Sequence, residues 1–189
     1  MNRLARLLVL LSMVLAFHGA CLANELYGRI VGILDGDTID VLTDSKELVR
    51  VRLAGIDAPE KRQAFGQVAK QALSGLVHHQ RATVEWSKRD RYGRVVGKVL
   101  VSGADVNLQM VQRGLAWHYK AYHNEQPLDD RFMYARAEDA ARASRTGLWS
   151  QKSPIAPWEF RREARAPSDA RFAHRSMSAP RQSRSSSMY

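Results

Sequence analysis

Apolar and polar residues alternate through three consecutive stretches early in the chain. Residues 25–34 carry Tyr27, Ile30, Val31 and Ile33, a β-rich run. Asp35-Gly36 follows as a hairpin-turn signal, since glycine tolerates the positive φ that such turns use. Residues 38–43 continue as a second strand with Ile39 and Val41 on one face, and Asp44-Ser45-Lys46 makes the next turn. Residues 47–53 alternate cleanly, with Val49, Val51 and Leu53 on one face and Arg50 and Arg52 on the other. The pattern predicts a three-stranded antiparallel meander.

Pro59 ends strand geometry, and the period then lengthens. Over 66–78 the residues Val68, Ala69, Ala72, Leu73, Leu76 and Val77 form one helical stripe. Alternation returns over 81–87 (Ala82, Val84, Trp86) and 94–101, separated by a charged turn. A short helix is expected at 105–113, capped by Asp105 and ended by Gly114. A third helix is expected over 127–147, with Gly147 at its C′ position and Leu148 packing back. Residues 154–162 read as a short ordered coda anchored by Trp158 and Phe160. Five short strands, a helix after the third and helices at the end imply an α+β fold, a five-stranded oligonucleotide-binding-type (OB-fold) barrel with three helices. Periodicity alone leaves other small α+β folds open, and there is no internal repeat.

The first 23 residues do not belong to this pattern. Two arginines precede an 11-residue apolar run, Leu7 to Phe17, and small residues then lead to Ala23. This is the order of a secretory signal, and the run is too short to span a bilayer, which takes about 20 residues. An N-terminal membrane anchor is the rival reading. Cleavage after Ala23 removes Cys21, the sole cysteine, so no disulfide is expected in the mature protein. Lipidation at Cys21 is a minor alternative to export into the periplasm or medium. Three regions result: a signal peptide at 1–23, a folded domain at 24–163, and a tail at 164–189. The tail has five Arg, one Asp and seven Ser without apolar periodicity, a composition expected to stay disordered.

Of the 189 residues, 45% are hydrophobic, enough for a real core, and the formal net charge is +10. A charge of this sign favours a polyanionic partner such as nucleic acid, anionic lipid or acidic polysaccharide. Without the signal it is +8, divided equally between the domain and the tail.

The candidate chemistry lies in 35–60 and in Asp90-Arg91-Tyr92-Gly93-Arg94. Asp37 shares parity with Ile39 and Val41, so it faces the core side, where a carboxylate is costly unless a cation or donors receive it. Asp57 lies just past the third strand, which pairs with the second, so the two acids converge. Hard oxygens without nearby Cys or His suit Ca2+ or Mg2+. Glu60, in a loop stiffened by Pro59, is the candidate general base. Arg52 and Arg94 are suited to gripping phosphate oxygens in a planar fork.

Asp35-Gly36-Asp37-Thr38, then Val51 to Glu60, then Asp90 to Arg94 resemble, in order and spacing, the motifs of the staphylococcal nuclease (thermonuclease) family. Gly147-Leu148-Trp149 resembles the end of that domain, and the resemblance covers about 26–150. It implies an oligonucleotide-binding-type barrel and Ca2+-dependent cleavage of DNA and RNA to products bearing a 3′-phosphate. By position it implies Asp37, Asp57 and the Ala58 carbonyl as metal ligands, Glu60 as base, and Arg52 and Arg94 as transition-state binders. Tyr92 and Tyr122 are the corresponding nucleotide-pocket residues. Ala58 stands where the founding member has Thr, which keeps the carbonyl and loses a hydroxyl contact to bound water; altered metal affinity or rate is expected, with activity kept.

Each motif has a blander reading: a hairpin turn at 35–38, a strand stop at 57–60, a surface charge at Arg52. His78-His79 is expected at a solvated helix end, since adjacent helix residues do not share a face. His118 and His123 are expected at the surface or a pocket edge, and the four Trp in the core. The sequence therefore predicts an exported, monomeric, calcium-dependent nuclease of little sequence preference. The alternative is a catalytically inactive barrel that binds nucleic acid.

Overall fold

The computed structural model describes residues 24–165; the expected signal peptide and nearly all of the expected disordered tail lie outside them. Five long strands form the barrel: β1 (Asn24–Ile33), β2 (Thr38–Thr43), β3 (Leu48–Leu53), β5 (Arg81–Arg89) and β6 (Val95–Val101). Neighbours run β3-β2-β1-β5-β6, and a parallel pairing of β3 with β6 (Val51↔Val95, Leu53↔Gly97) closes the ring. Closure is what makes the alternation legible: one residue in two along β3 is buried, Val49, Val51 and Leu53. Their side chains meet Ile30, Ile39, Val41, Val84, Val95 and Val99 inside the barrel.

Helix α1 (Gly66–Val77) buries Ala69, Leu73 and Val77 in that core, while Val68 of the expected stripe is exposed. Helix α2 (Val106–Gln112) starts as expected, Asp105 accepting from Leu108 N–H at 2.9 Å. Its fully buried Asn107 joins the barrel seam, donating to Ala54 O (2.9 Å) and accepting from Val99 N–H (3.1 Å). Helix α3 (Leu128–Ala143) is shorter than expected. Arg145, φ 52°, takes the left-handed position after it, and Gly147 opens a 3-10 turn, Gly147–Ser150. Gly147 serves close approach as well as positive φ, because a Cβ there would lie 2.3 Å from Gly114 O. Beyond it, α4 (Pro157–Arg165) continues past the expected coda and the expected domain boundary.

Three short strands escaped the sequence pattern. Strand β7 (Ala104–Asp105) extends the sheet beside β6, and β4 (Ile56–Asp57) pairs with β8 (Trp117–His118). The β4–β8 pair sets Asp57 opposite Trp117. Trp117 in turn belongs to a second apolar cluster with Ala141, Leu148, Trp149 and Ala156. Among the described residues no helix is long and apolar enough to cross a membrane.

Candidate active site

A cleft of about 730 Å3 opens at the end of the barrel where β2 begins and β3 leads into β4. All the sequence-predicted site residues line it: Asp37, Arg52, Asp57, Ala58, Glu60, Tyr92, Arg94 and Tyr122.

Asp37 is 6% exposed and Asp57 1%. Both approach one nitrogen, Arg52 Nη2, at 3.1 and 2.8 Å. Arg52 lies outward on β3, and its Nη1 folds back to donate to the carbonyls of Leu53 (2.9 Å) and Ile56 (3.0 Å). The turn that permits this contains Gly55 at φ +71°, a conformation other residues rarely adopt.

Asp37 also accepts from Ala58 N–H at 2.6 Å and from the Thr38 hydroxyl at 3.2 Å. Gly36 owes its identity to space and not to φ: it is absent from the positive-φ glycines, and a Cβ would meet Ala58 Cβ and Ala69 Cβ at 2.7 Å each. Its smallness lets the turn bearing Asp37 press against the loop bearing Ala58. Burial pushes the Asp37 carboxyl up to about 7; Arg52 opposes this, and the nearby Asp35 and Asp57 reinforce it.

The Asp37 carboxylate is met by Arg52, the Ala58 N–H and the Thr38 hydroxyl. Among the described residues no group of three or more His, Cys, Asp or Glu side chains is arranged to hold a metal ion. The cleft offers two buried carboxylates, Asp37 and Asp57, as hard oxygen donors. That suits a hard divalent cation that keeps some of its hydration.

Arg94 faces the same cleft from the β5–β6 turn. Its Nε and Nη2 each lie 2.7 Å from Asp90 Oδ2, and its guanidinium lies 5.5 Å from the Tyr92 ring centroid. Burial favours the neutral acid at Asp90, but bonds from Arg94 and the backbone outweigh it and hold the carboxyl below its usual range. Tyr92 and Tyr122 are 65% and 56% exposed, so their rings are open to a ligand.

Of the surface and pocket-edge readings of His118, the structure gives the pocket edge. His118 is buried, its Nε2 3.0 Å from Gln126 Oε1. It lies on β8, where burial lowers its pKa, while His78, His79 and His123 are exposed as expected. Arg161, which no motif singled out, reaches from α4 into the cleft. It contacts Asp57 through Nη2–Oδ2 (2.8 Å) and Nη1–Oδ1 (3.2 Å), and Glu60 Oε1 through Nη1 (2.8 Å).

A closed barrel with buried acids gathered on one guanidinium and a second arginine across the cleft is the layout of a phosphodiester-cleaving protein. The model of the family described as Staphylococcal nuclease homologue matches residues 50–151. The chain is 47% identical to Protein ParB of Escherichia coli, over 74% of this chain and 81% of that protein. It is 39% identical to an uncharacterized endonuclease of Haemophilus influenzae, over 84% and 86% of the two chains. It is 44% identical to a micrococcal nuclease of Shigella flexneri, over 73% and 82%. The chain belongs to the staphylococcal nuclease family.

Proposed function

We propose that this nuclease cuts DNA and RNA with little sequence preference, using a divalent cation, Ca2+ by preference, held by Asp37, Asp57 and the Ala58 carbonyl. The carrying observation is the convergence of the two buried carboxylates on Arg52 Nη2. Three acids beside a phosphate would repel it in a protein that only binds nucleic acid, and that repulsion disappears once a cation sits between them. This favours the enzyme over the inactive binding barrel. The bound cation would neutralise non-bridging oxygen charge as it develops.

The chain's own residues do the rest. Glu60 takes a proton from the attacking water as its oxygen bonds to phosphorus. Arg52 and Arg94 donate to the phosphoryl oxygens, Arg94 steadied by Asp90. The P–O bond to the 5′-oxygen breaks, that oxygen takes up a proton, and the phosphate stays on the 3′ side. Tyr92 and Tyr122 stack on neighbouring bases, a contact indifferent to base identity. The signal-like N-terminus supports export to the periplasm or medium.

The test is digestion of single- and double-stranded DNA and of RNA by the purified chain with Ca2+, with Mg2+ and with chelator. Cleavage that stops with chelator and returns with Ca2+ supports the reading. Undiminished cleavage in chelator rules out the metal.

A further inference from the structure

We infer that Arg161, on a helix beyond the span matched by the family, is a positioning residue that bridges Asp57 and Glu60 and aims the Glu60 carboxylate. This rests on the reading of Glu60 as the base.

Glu60 lies in a loop, and a partly exposed glutamate has several rotamers to lose before it points one way. Its side chain has one hydrogen-bond partner among the described residues, Arg161 Nη1 at 2.8 Å on Oε1. That leaves Oε2 as the oxygen to receive a proton. The same guanidinium takes both oxygens of Asp57, so one planar fork fixes the base relative to a buried carboxylate.

The helix carrying Arg161 is itself fixed. Pro157 and Ala156 are buried, and the Trp158 ring lies 5.4 Å from Trp117 and 5.3 Å from Tyr119. Trp117 is the residue paired with Asp57 across β4–β8. A second tie runs beside the first: Gln63 accepts from Glu60 N–H at 3.1 Å and donates to Ile155 O at 2.6 Å. The 60–63 loop and the 155–161 segment are thus joined at both backbone and side chain. Without Arg161 the loop keeps one tie and the carboxylate loses its only one.

The test compares Arg161→Ala, Arg161→Lys and Arg162→Ala, with Arg161→Ala also made in a Glu60→Gln background. Turnover of single-stranded DNA is measured with Ca2+, and Ca2+ affinity by calorimetry without nucleic acid. Arg161→Ala should lower kcat about 10- to 100-fold, the scale of misplaced reacting groups, with KM within about threefold. The Lys variant should fall between it and wild type, since Lys keeps the charge and lacks the fork. Arg162→Ala, on the exposed side of α4, should change nothing. In the Glu60→Gln background, Arg161→Ala should cost less than about twofold more, because both changes act on one step. Ca2+ affinity of Arg161→Ala should be equal or tighter, a cation having been removed from beside Asp57. An unchanged kcat, a full additive loss in the Glu60→Gln background, or weakened Ca2+ binding would each overturn the proposal. Wild-type cleavage by Glu60→Gln alone would remove the base reading, and this one with it.

Discussion

Arg52 Nη2 lies 2.8 Å from Asp57 Oδ1, and Asp57 has 1% of its side chain exposed. Arg52 also contacts Asp37, and its removal leaves two buried carboxylates with one cation fewer. Removing one member of a buried pair costs about 3–5 kcal/mol; Arg161 still contacts Asp57, so the lower part of that range applies here. Arg52→Gln should lose about 3 kcal/mol in urea denaturation and at least ~10²-fold in kcat. Arg52→Lys should recover little of either, because one ammonium group replaces a fork that contacts two carbonyls and two carboxylates.

The buried Asp37 gives a pH dependence of definite sign. Its pKa is raised from 3.8 to about 7, so the folded state binds the extra proton across that window. This contribution to stability is complete below about 4 and is lost as pH rises through about 7. Metal-free protein should therefore lose on the order of 2–4 kcal/mol between pH 4 and 8 from this group alone. Asp37→Asn should flatten that part of the profile, and added Ca2+ should restore stability to the wild type at pH 8. Urea midpoints across the pH range check both statements.

Gly36→Ala separates geometry from stability. The new methyl would meet Ala58 and Ala69 at 2.7 Å, forcing the Asp37 turn away from the loop that carries Ala58. Overpacking of this kind costs about 1–3 kcal/mol. The rate should suffer more, by about 10²-fold, since small misplacements of reacting groups carry that penalty. Thermal unfolding and kcat measured on one preparation test the split.

Tyr92→Ala and Tyr122→Ala should act on binding. Both rings are more than half exposed and line the cleft, and stacking one base is worth about 1–3 kcal/mol. Each variant should raise KM for single-stranded DNA about 5- to 100-fold with kcat little changed. A fall in kcat at constant KM would show that the rings serve chemistry instead.

Much of this was visible in the chain because it is local. Strand alternation named the inward residues of β2 and β3, and Asp37, Asp57, Glu60, Arg52 and Arg94 lie within motifs whose spacing places them at one barrel end. What stayed hidden depends on contacts distant in sequence. Two-residue strands carry no period, so the pairing of Asp57 with Trp117 was invisible. His118 was expected at the surface or a pocket edge, and its burial comes from distant chain, Gln126 lying 3.0 Å from its Nε2. Gly36 suggested positive φ, and its actual constraint is the approach of Ala58 and Ala69. The end of α3 was placed at a glycine, whereas Arg145 takes the left-handed turn and Gly147 is needed against Gly114. Arg161 lies 101 residues from Glu60, and nothing in Trp158-Glu159-Phe160-Arg161 announces its partner.

The most direct measurement is the cleavage rate of Glu60→Gln beside its affinity for Ca2+ and for single-stranded DNA. Loss of a general base predicts a fall in kcat of at least ~10²-fold with both affinities kept within a few-fold. A variant that cuts at the wild-type rate with intact binding would contradict the assignment of Glu60 as the group that activates water.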